Sequence, residues 1–255
     1  RKGRLLQGIA KASNALITDS EFIDGFNIAL EILGEAADAD RVYIYKHFED
    51  DETGELYFSP QYEWNAEGIE SQYDDLILGK LSYSRFAPLR FYESFINGET
   101  LKFIIKELPP QFQEVFIDRN IRSIILVPIM IDSAYWGFIG FDNCRTESEW
   151  NKGEKETLLT LANSIGSAIA RASVEDDLRK TNEYLENLIT NASGPIIVWD
   201  PELHITRVNR ACEILTGCPA HDLIGKDLSV IFHQQDQERW DCLLKSAFNG
   251  ERWET

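Results

Sequence analysis

The sequence predicts an α+β chain: a central antiparallel sheet with flanking helices, a long connecting helix, and then a second, partial α+β unit. Three observations carry this. Residues Ile121–Cys144 read as two apolar strands joined by a tight polar turn at Asp132 and Ser133, as in a hairpin inside a covered sheet. From Asn151 to about Thr190, apolar residues return at helical intervals. Beyond Asn191, short strand and helix patterns resume over about 65 residues, fewer than an independent sheet domain usually needs.

Taken in order, Arg4–Ala37 reads as helical, with Leu5, Ile9, Leu16, Phe22, Phe26, Leu30 and Ile32 at roughly helical intervals. Thr18-Asp19-Ser20 interrupts the pattern and caps a second helix. Arg41–Phe48 and Leu56–Trp64 are strand-like, linked by the polar turn Glu49–Gly54. Asn65–Phe103 is polar and aromatic, and reads as short helices and a long loop over one sheet face; loops of that length in a compact domain tend to be lids. Pro109 and Pro110 open a helix to about Asn120. In the second strand of the central hairpin, Gly137 and Gly140 alternate with bulky residues, and glycine inside a strand marks a bulge or a close neighbour.

Asn151, with Glu154 three residues on, forms a capping-box start for the long helix. Leu158, Leu161, Ile165, Ala168 and Ala172 make one seam, and Leu178, Leu185 and Leu188 a second, slipped by one residue. The first seam is expected to pack on its own domain and the second to meet another helix. The charged interval Ser173–Tyr184 suits a solvated connector. In the second unit, Gly194–Asp200 and His204–Asn209 are strands around the Asp200-Pro201-Glu202 turn. Asn209–Gly217 is a helix ending in glycine, followed by helical turns at Asp222–Gly225 and Leu228–Phe232, a helix at Gln235–Phe248 and the start of a strand at Trp253.

Composition narrows the function. The 255 residues carry a net charge of −18, which disfavours nucleic acid and anionic lipid surfaces. No apolar run reaches the length of a membrane span and no signal peptide is visible. The absence of an initiator Met leads us to expect an excised piece of a longer protein. The four cysteines form no CxxC pair, and the Cys218/His221 spacing lacks a second ligand pair, so no zinc site is expected. Sparse free thiols suit a reducing cytoplasm. No nucleophile elbow, P-loop, His-Glu-x-x-His or paired-carboxylate motif is present, so the fragment is not expected to be an enzyme.

Residues 20–172 resemble a GAF domain, through Ala39–Tyr45, Ile121–Ser123, Val127–Ile129, Trp136–Asp142 and Ile165–Ile169. Residues 184–255 resemble the first half of a PAS domain, through Leu188–Ser193, Ile196–Asp200, Val208–Ala211, Leu215–Gly217 and Leu223–Lys226. The domains expected from this are an N-terminal helix from an upstream linker (1–18), a GAF domain (19–172), a helical linker (173–190) and a truncated PAS unit (191–255). The resemblance implies the sensory region of a multidomain signalling protein such as a two-component histidine kinase. Its output domain is not expected here, since neither a phospho-acceptor His box nor a glycine-rich ATP-binding segment is found.

The resemblance also implies a small-molecule pocket between the sheet and its covering loops. The candidate liners are Tyr43, Tyr45, Trp64, Phe86, Phe91, Ile124, Leu126, Trp136 and Phe138; core packing is the better account for most of them singly, and the aromatic density of the lid region favours a cavity for the set. Of a cyclic-nucleotide signature only Asn151-Lys152 is present, and Asn151 is read as a helix cap. Bilin attachment, which in the family uses a Cys usually followed by His, has no such pair here. Haem held by Cys144, with His47 as partner ligand, is an alternative; no cofactor is required. Asn143-Cys144-Arg145 echoes a flavin-binding PAS motif, but in the wrong domain.

The expected activity is ligand sensing in the GAF pocket, signalled through the 151–190 helix in a cytoplasmic homodimer. The alternatives are an interaction module that only dimerises and spaces its neighbours, a haem redox sensor, and a sulfoxide-reducing enzyme. That last chemistry needs several cysteines where this unit has only Cys144.

Overall fold

The computed structural model describes residues 2–18, 22–71 and 80–231. Two compact units divide at Val174/Glu175. The helix expected at Gln235–Phe248 and the strand expected at Trp253 lie outside the described residues.

The first unit is built on a six-stranded sheet of order β3-β2-β1-β6-β5-β4. Its strands are β1 Arg41–Glu49, β2 Leu56–Asn65, β3 Leu81–Ser82, β4 Leu101–Ile104, β5 Ser123–Ile131 and β6 Ala134–Asn143, all paired antiparallel. The β5–β6 turn has Asp132 and Ser133 at φ 49° and 67°, the left-handed pair that a two-residue hairpin loop requires. The β1–β2 turn is closed by Asp50, whose carboxylate accepts from the Glu52 and Thr53 amides and the Thr53 hydroxyl. The edge strand β4 falls where only loop and short helix had been expected.

Helices cover one face of the sheet: α1 Lys2–Thr18, α2 Phe22–Ala37 and the first half of α5 Lys152–Asn191. Leu5, Ala12, Leu30, Leu33, Leu158 and Leu161 share a fully buried core with Val42, Ile44, Ile125, Val127 and Ile129. The expected upstream-linker helix is thus part of this core: α1 lays its apolar stripe on α2. The capping box forms, Glu154 N–H donating to Asn151 Oδ1 and Asn151 N–H to Glu154 Oε2, both at 3.0 Å.

A lid covers the other face. It comprises a 3-10 helix at Tyr83–Leu89, α3 Phe91–Ile96 and α4 Pro110–Ile117. Its aromatic side chains pack on Tyr43, Tyr45, Phe58 and Phe138 in a second core.

In the second unit, β7 Ile197–Trp199 pairs with β8 Ile205–Val208, followed by α6 Arg210–Thr216 and α7 Ala220–Leu223. Ile205, Leu223 and Leu228 make a small core. Asn209 is its polar centre. The side chain caps α6 by accepting from Cys212 N–H, accepts from Ile196 N–H, and donates to the carbonyls of Ile189, Ala192 and Gly194. Gly217 ends α6 at φ 68°. On the late part of α5, Leu178, Leu185 and Leu188 are 60%, 49% and 52% exposed, an apolar row facing solvent in the monomer.

Candidate functional site

Between sheet and lid lies a partly open cavity of about 50 Å³. Its walls include seven of the nine expected residues: Tyr43, Tyr45, Phe86, Phe91, Ile124, Leu126 and Phe138. Trp64 and Trp136 are not among them. Both pack with the helices on the opposite face, Trp64 lying on Gly34 of α2.

One device accounts for both corrections. Side chains alternate between faces along a strand, and one extra residue in a bulge reverses the alternation. In β2 the register steps from Ile44↔Tyr62 to Tyr45↔Pro60, leaving Gln61 as the extra residue, so Phe58 faces the lid while Trp64 faces the helices. In β6 it steps from Ile129↔Gly137 to Met130↔Tyr135, and Trp136 is left out. Phe138 and Tyr135 then face the lid, with Trp136 on the other side.

The sequence reading missed Phe58, Leu81, Val115, Phe116, Arg119 and Ile121 in the walls. Pro60 and Gly137, each beside a bulge, were the signals that would have corrected the alternation.

Among the lining residues only Tyr43, Tyr45 and Arg119 carry polar side-chain groups. The Tyr43 hydroxyl donates to Asp142 Oδ1 at 3.0 Å. The ring lies flat over Gly140, where any side chain would collide with it. Asp142 is fully buried and also accepts from Arg41 Nη1 at 3.1 Å. Burial pushes its carboxyl up to about 6 against the pull of Arg41 and Tyr43. Arg41 donates further to Asn65 Oδ1 and to the Glu70 carbonyl, tying the strand end to the following loop. Tyr45 differs from Tyr43: it is 6% exposed, and its hydroxyl has no hydrogen bond within the described residues. Its acidity is suppressed by burial. Arg119 donates Nη1 to the Val115 carbonyl at 2.6 Å and also borders a polar groove of about 320 Å³ with Arg41, Ser71 and Cys144.

The haem alternative does not fit these residues. Cys144 is 7% exposed, and burial pushes its thiol up to about 11, so the metal-free side chain is protonated at neutral pH. Its amide donates to the Asp40 carboxylate, which places it beside the start of β1. His47 is seven residues further along that strand, about 20 Å away at ~3.3 Å per residue. There it is ringed by Tyr83, Tyr92 and Tyr135. One iron does not reach both. Asn151, the start of the partial cyclic-nucleotide signature, is occupied as a helix cap. No group of three or more His, Cys, Asp or Glu suited to a metal occurs among the described residues. No helix among them is long and apolar enough to cross a membrane.

Comparisons with known proteins agree with this architecture. A family model described as GAF domain matches residues 21–169, and one described as PAS fold matches residues 183–255. The methanogenesis regulatory histidine kinase FilI of Methanothrix harundinacea is 34% identical over 189 residues, covering 74% of this chain. The circadian input-output histidine kinase CikA of Synechococcus elongatus is 28% identical over 112 residues, 42% of this chain. The chain spans only 21% and 15% of those two kinases. The phycoerythrobilin-bound GAF domain from a cyanobacterial phytochrome superposes with a TM-score of 0.56 at 14% identity, covering 69% of this chain and 100% of that one. At that identity the fold alone is shared. With sheet, lid and family match in agreement, the chain belongs to the GAF domain family, its GAF domain followed by a PAS fold, and its relatives include histidine kinases.

Proposed function

We propose that this chain is the sensory input segment of a cytoplasmic signalling protein of the histidine kinase type. In this reading a small ligand occupies the aromatic cavity and α5 carries its occupancy onward in a homodimer. The observation behind it is the two-sided use of β5. Ile124 and Leu126 border the cavity, while Ile125, Val127 and Ile129 support the helix layer that contains α5. A displacement of β5 by a ligand is therefore felt by the helix.

Ligand pockets usually measure about 300–1,000 Å³, so a cavity of about 50 Å³ takes a bilin or a nucleotide only if the lid lifts. A ligand that lifts the lid shifts the equilibrium by its preference for the lifted state, which is the requirement for allostery. The exposed row Leu178, Leu185 and Leu188 is the surface on which two α5 helices would pair.

The same small volume favours a second reading, in which the GAF unit binds nothing small and serves to dimerise and space its neighbours. Two measurements decide between them. Sedimentation of the chain is expected to show a dimer that Leu185→Glu dissociates; unchanged association removes the helix pairing from both readings. Thermal-shift screening with small metabolites is expected to find a stabilising ligand for the sensor. Retained dimers with no stabilising compound would leave the spacer.

A further inference from the structure

Resting on the cavity reading above, we infer that the GAF cavity is built for a small, neutral, largely apolar molecule bearing a hydroxyl group.

The inference comes from the two phenols. Tyr43 has committed its single proton to Asp142, so any further hydrogen bond it makes is one it accepts. Tyr45 is more than nine-tenths buried, borders the same cavity, and keeps both its proton and its lone pairs without a partner within the described residues. The Tyr45 oxygen is not among the buried atoms that lack a partner, so it opens on the cavity, where an occupant pairs it. A ligand hydroxyl answers both groups, donating to Tyr43 Oη and accepting from Tyr45 O–H. A ketone or ether satisfies only Tyr45 and sets its lone pairs against those of Tyr43.

The remaining walls argue for neutrality. The rings of Phe58, Phe86, Phe91 and Phe138 surround the space, and aromatic faces are electron-rich and disfavour anions. Arg119, the one cation in the lining, already donates to the Val115 carbonyl. The Asp142 carboxylate just behind Tyr43 further opposes a negative ligand.

The test is a titration of the full 255-residue chain with 1-propanol, propanone and propionate, followed by NMR of the Ile124 and Leu126 methyl groups. The alcohol is expected to bind at least tenfold more tightly than either of the others. Tyr45→Phe should shrink that preference to less than about threefold while leaving the melting transition in place; Tyr43→Phe, which also strips buried Asp142 of a donor, should shrink it likewise in protein that melts lower but cooperatively. Equal binding of alcohol and ketone, or tighter binding of propionate, would overturn the hydroxyl assignment yet preserve the cavity as a binding site. If none of the three probes moves the methyl resonances, the cavity reading itself fails, and the hydroxyl assignment with it.

Discussion

Gly166 of α5 lies against the backbone carbonyl of Met130 in β5, so closely that a Cβ there would come within 2.5 Å of the oxygen. Here the long helix rests directly on a strand that also borders the cavity.

Gly166→Ala is therefore a test of helix–sheet contact. In an open helix position alanine gains about 1 kcal/mol over glycine. At Gly166 the added methyl must push the helix off a strand backbone that cannot rotate away, and overpacking of this kind costs about 1–3 kcal/mol. Urea unfolding is expected to show net destabilisation for Gly166→Ala. Gly3→Ala, whose Cβ would meet nothing within 4 Å, should show none. Equal stability of the two variants would mean that α5 is not seated on β5 as described.

Asp142 makes stability depend on pH. Its carboxyl is raised by burial from 3.8 to about 6. A raised acid binds its proton more tightly in the folded state, so its contribution is fully present below about pH 4 and is lost as pH rises through about 6. Asp142→Asn should remove this component and flatten the melting temperature between pH 4 and 7 relative to wild type. Parallel curves for the two proteins would show that Asp142 is not the titrating group.

Cys144 should be chemically quiet. With its thiol pushed up to about 11 by burial, little thiolate forms at pH 8. Cys218 is exposed. Iodoacetamide labelling followed by peptide mass spectrometry is expected to modify Cys218 well before Cys144. Comparable rates would reopen a reactive role for Cys144.

Asn209 joins the end of α5, the start of β7 and the first turn of α6 through one buried amide. Asn209→Ala removes the hydrogen bonds of partly buried backbone groups at Ile189, Ala192, Gly194 and Ile196, a loss expected to lower stability by about 1–3 kcal/mol in total. Hydrogen exchange should accelerate at Ile196 and Cys212. Asn209→Asp retains both acceptor contacts but loses the three donated bonds, so Ile196 and Cys212 should stay more protected than in the alanine variant.

Much of the architecture was legible in the chain because it is written in short-range patterns. Asp132-Ser133 between apolar runs specifies a hairpin, and Asn151 with Glu154 specifies a helix start. Asn209 and Gly217 bracket α6. Each depends on neighbours a few residues away, and each forms as expected. The same holds for the buried seam Leu158, Leu161, Ile165 and Ala168, which follows helical periodicity alone.

What tertiary structure decided is which face a residue shows after a bulge and which distant segments meet. Trp64 and Trp136 have the same strand parity as Phe58 and Phe138, and only the pairing of β2 with β1 and of β6 with β5 reveals the extra residues that turn them away from the cavity. Val115, Phe116 and Arg119 reach the cavity because α4 folds back over the sheet, a contact that strand and helix periods do not encode. The commitment of the Tyr43 proton to Asp142, 99 residues away, is of the same kind. Local sequence sets the period of each element, whereas register and long-range packing choose the surface it presents, and a binding site is made of those surfaces.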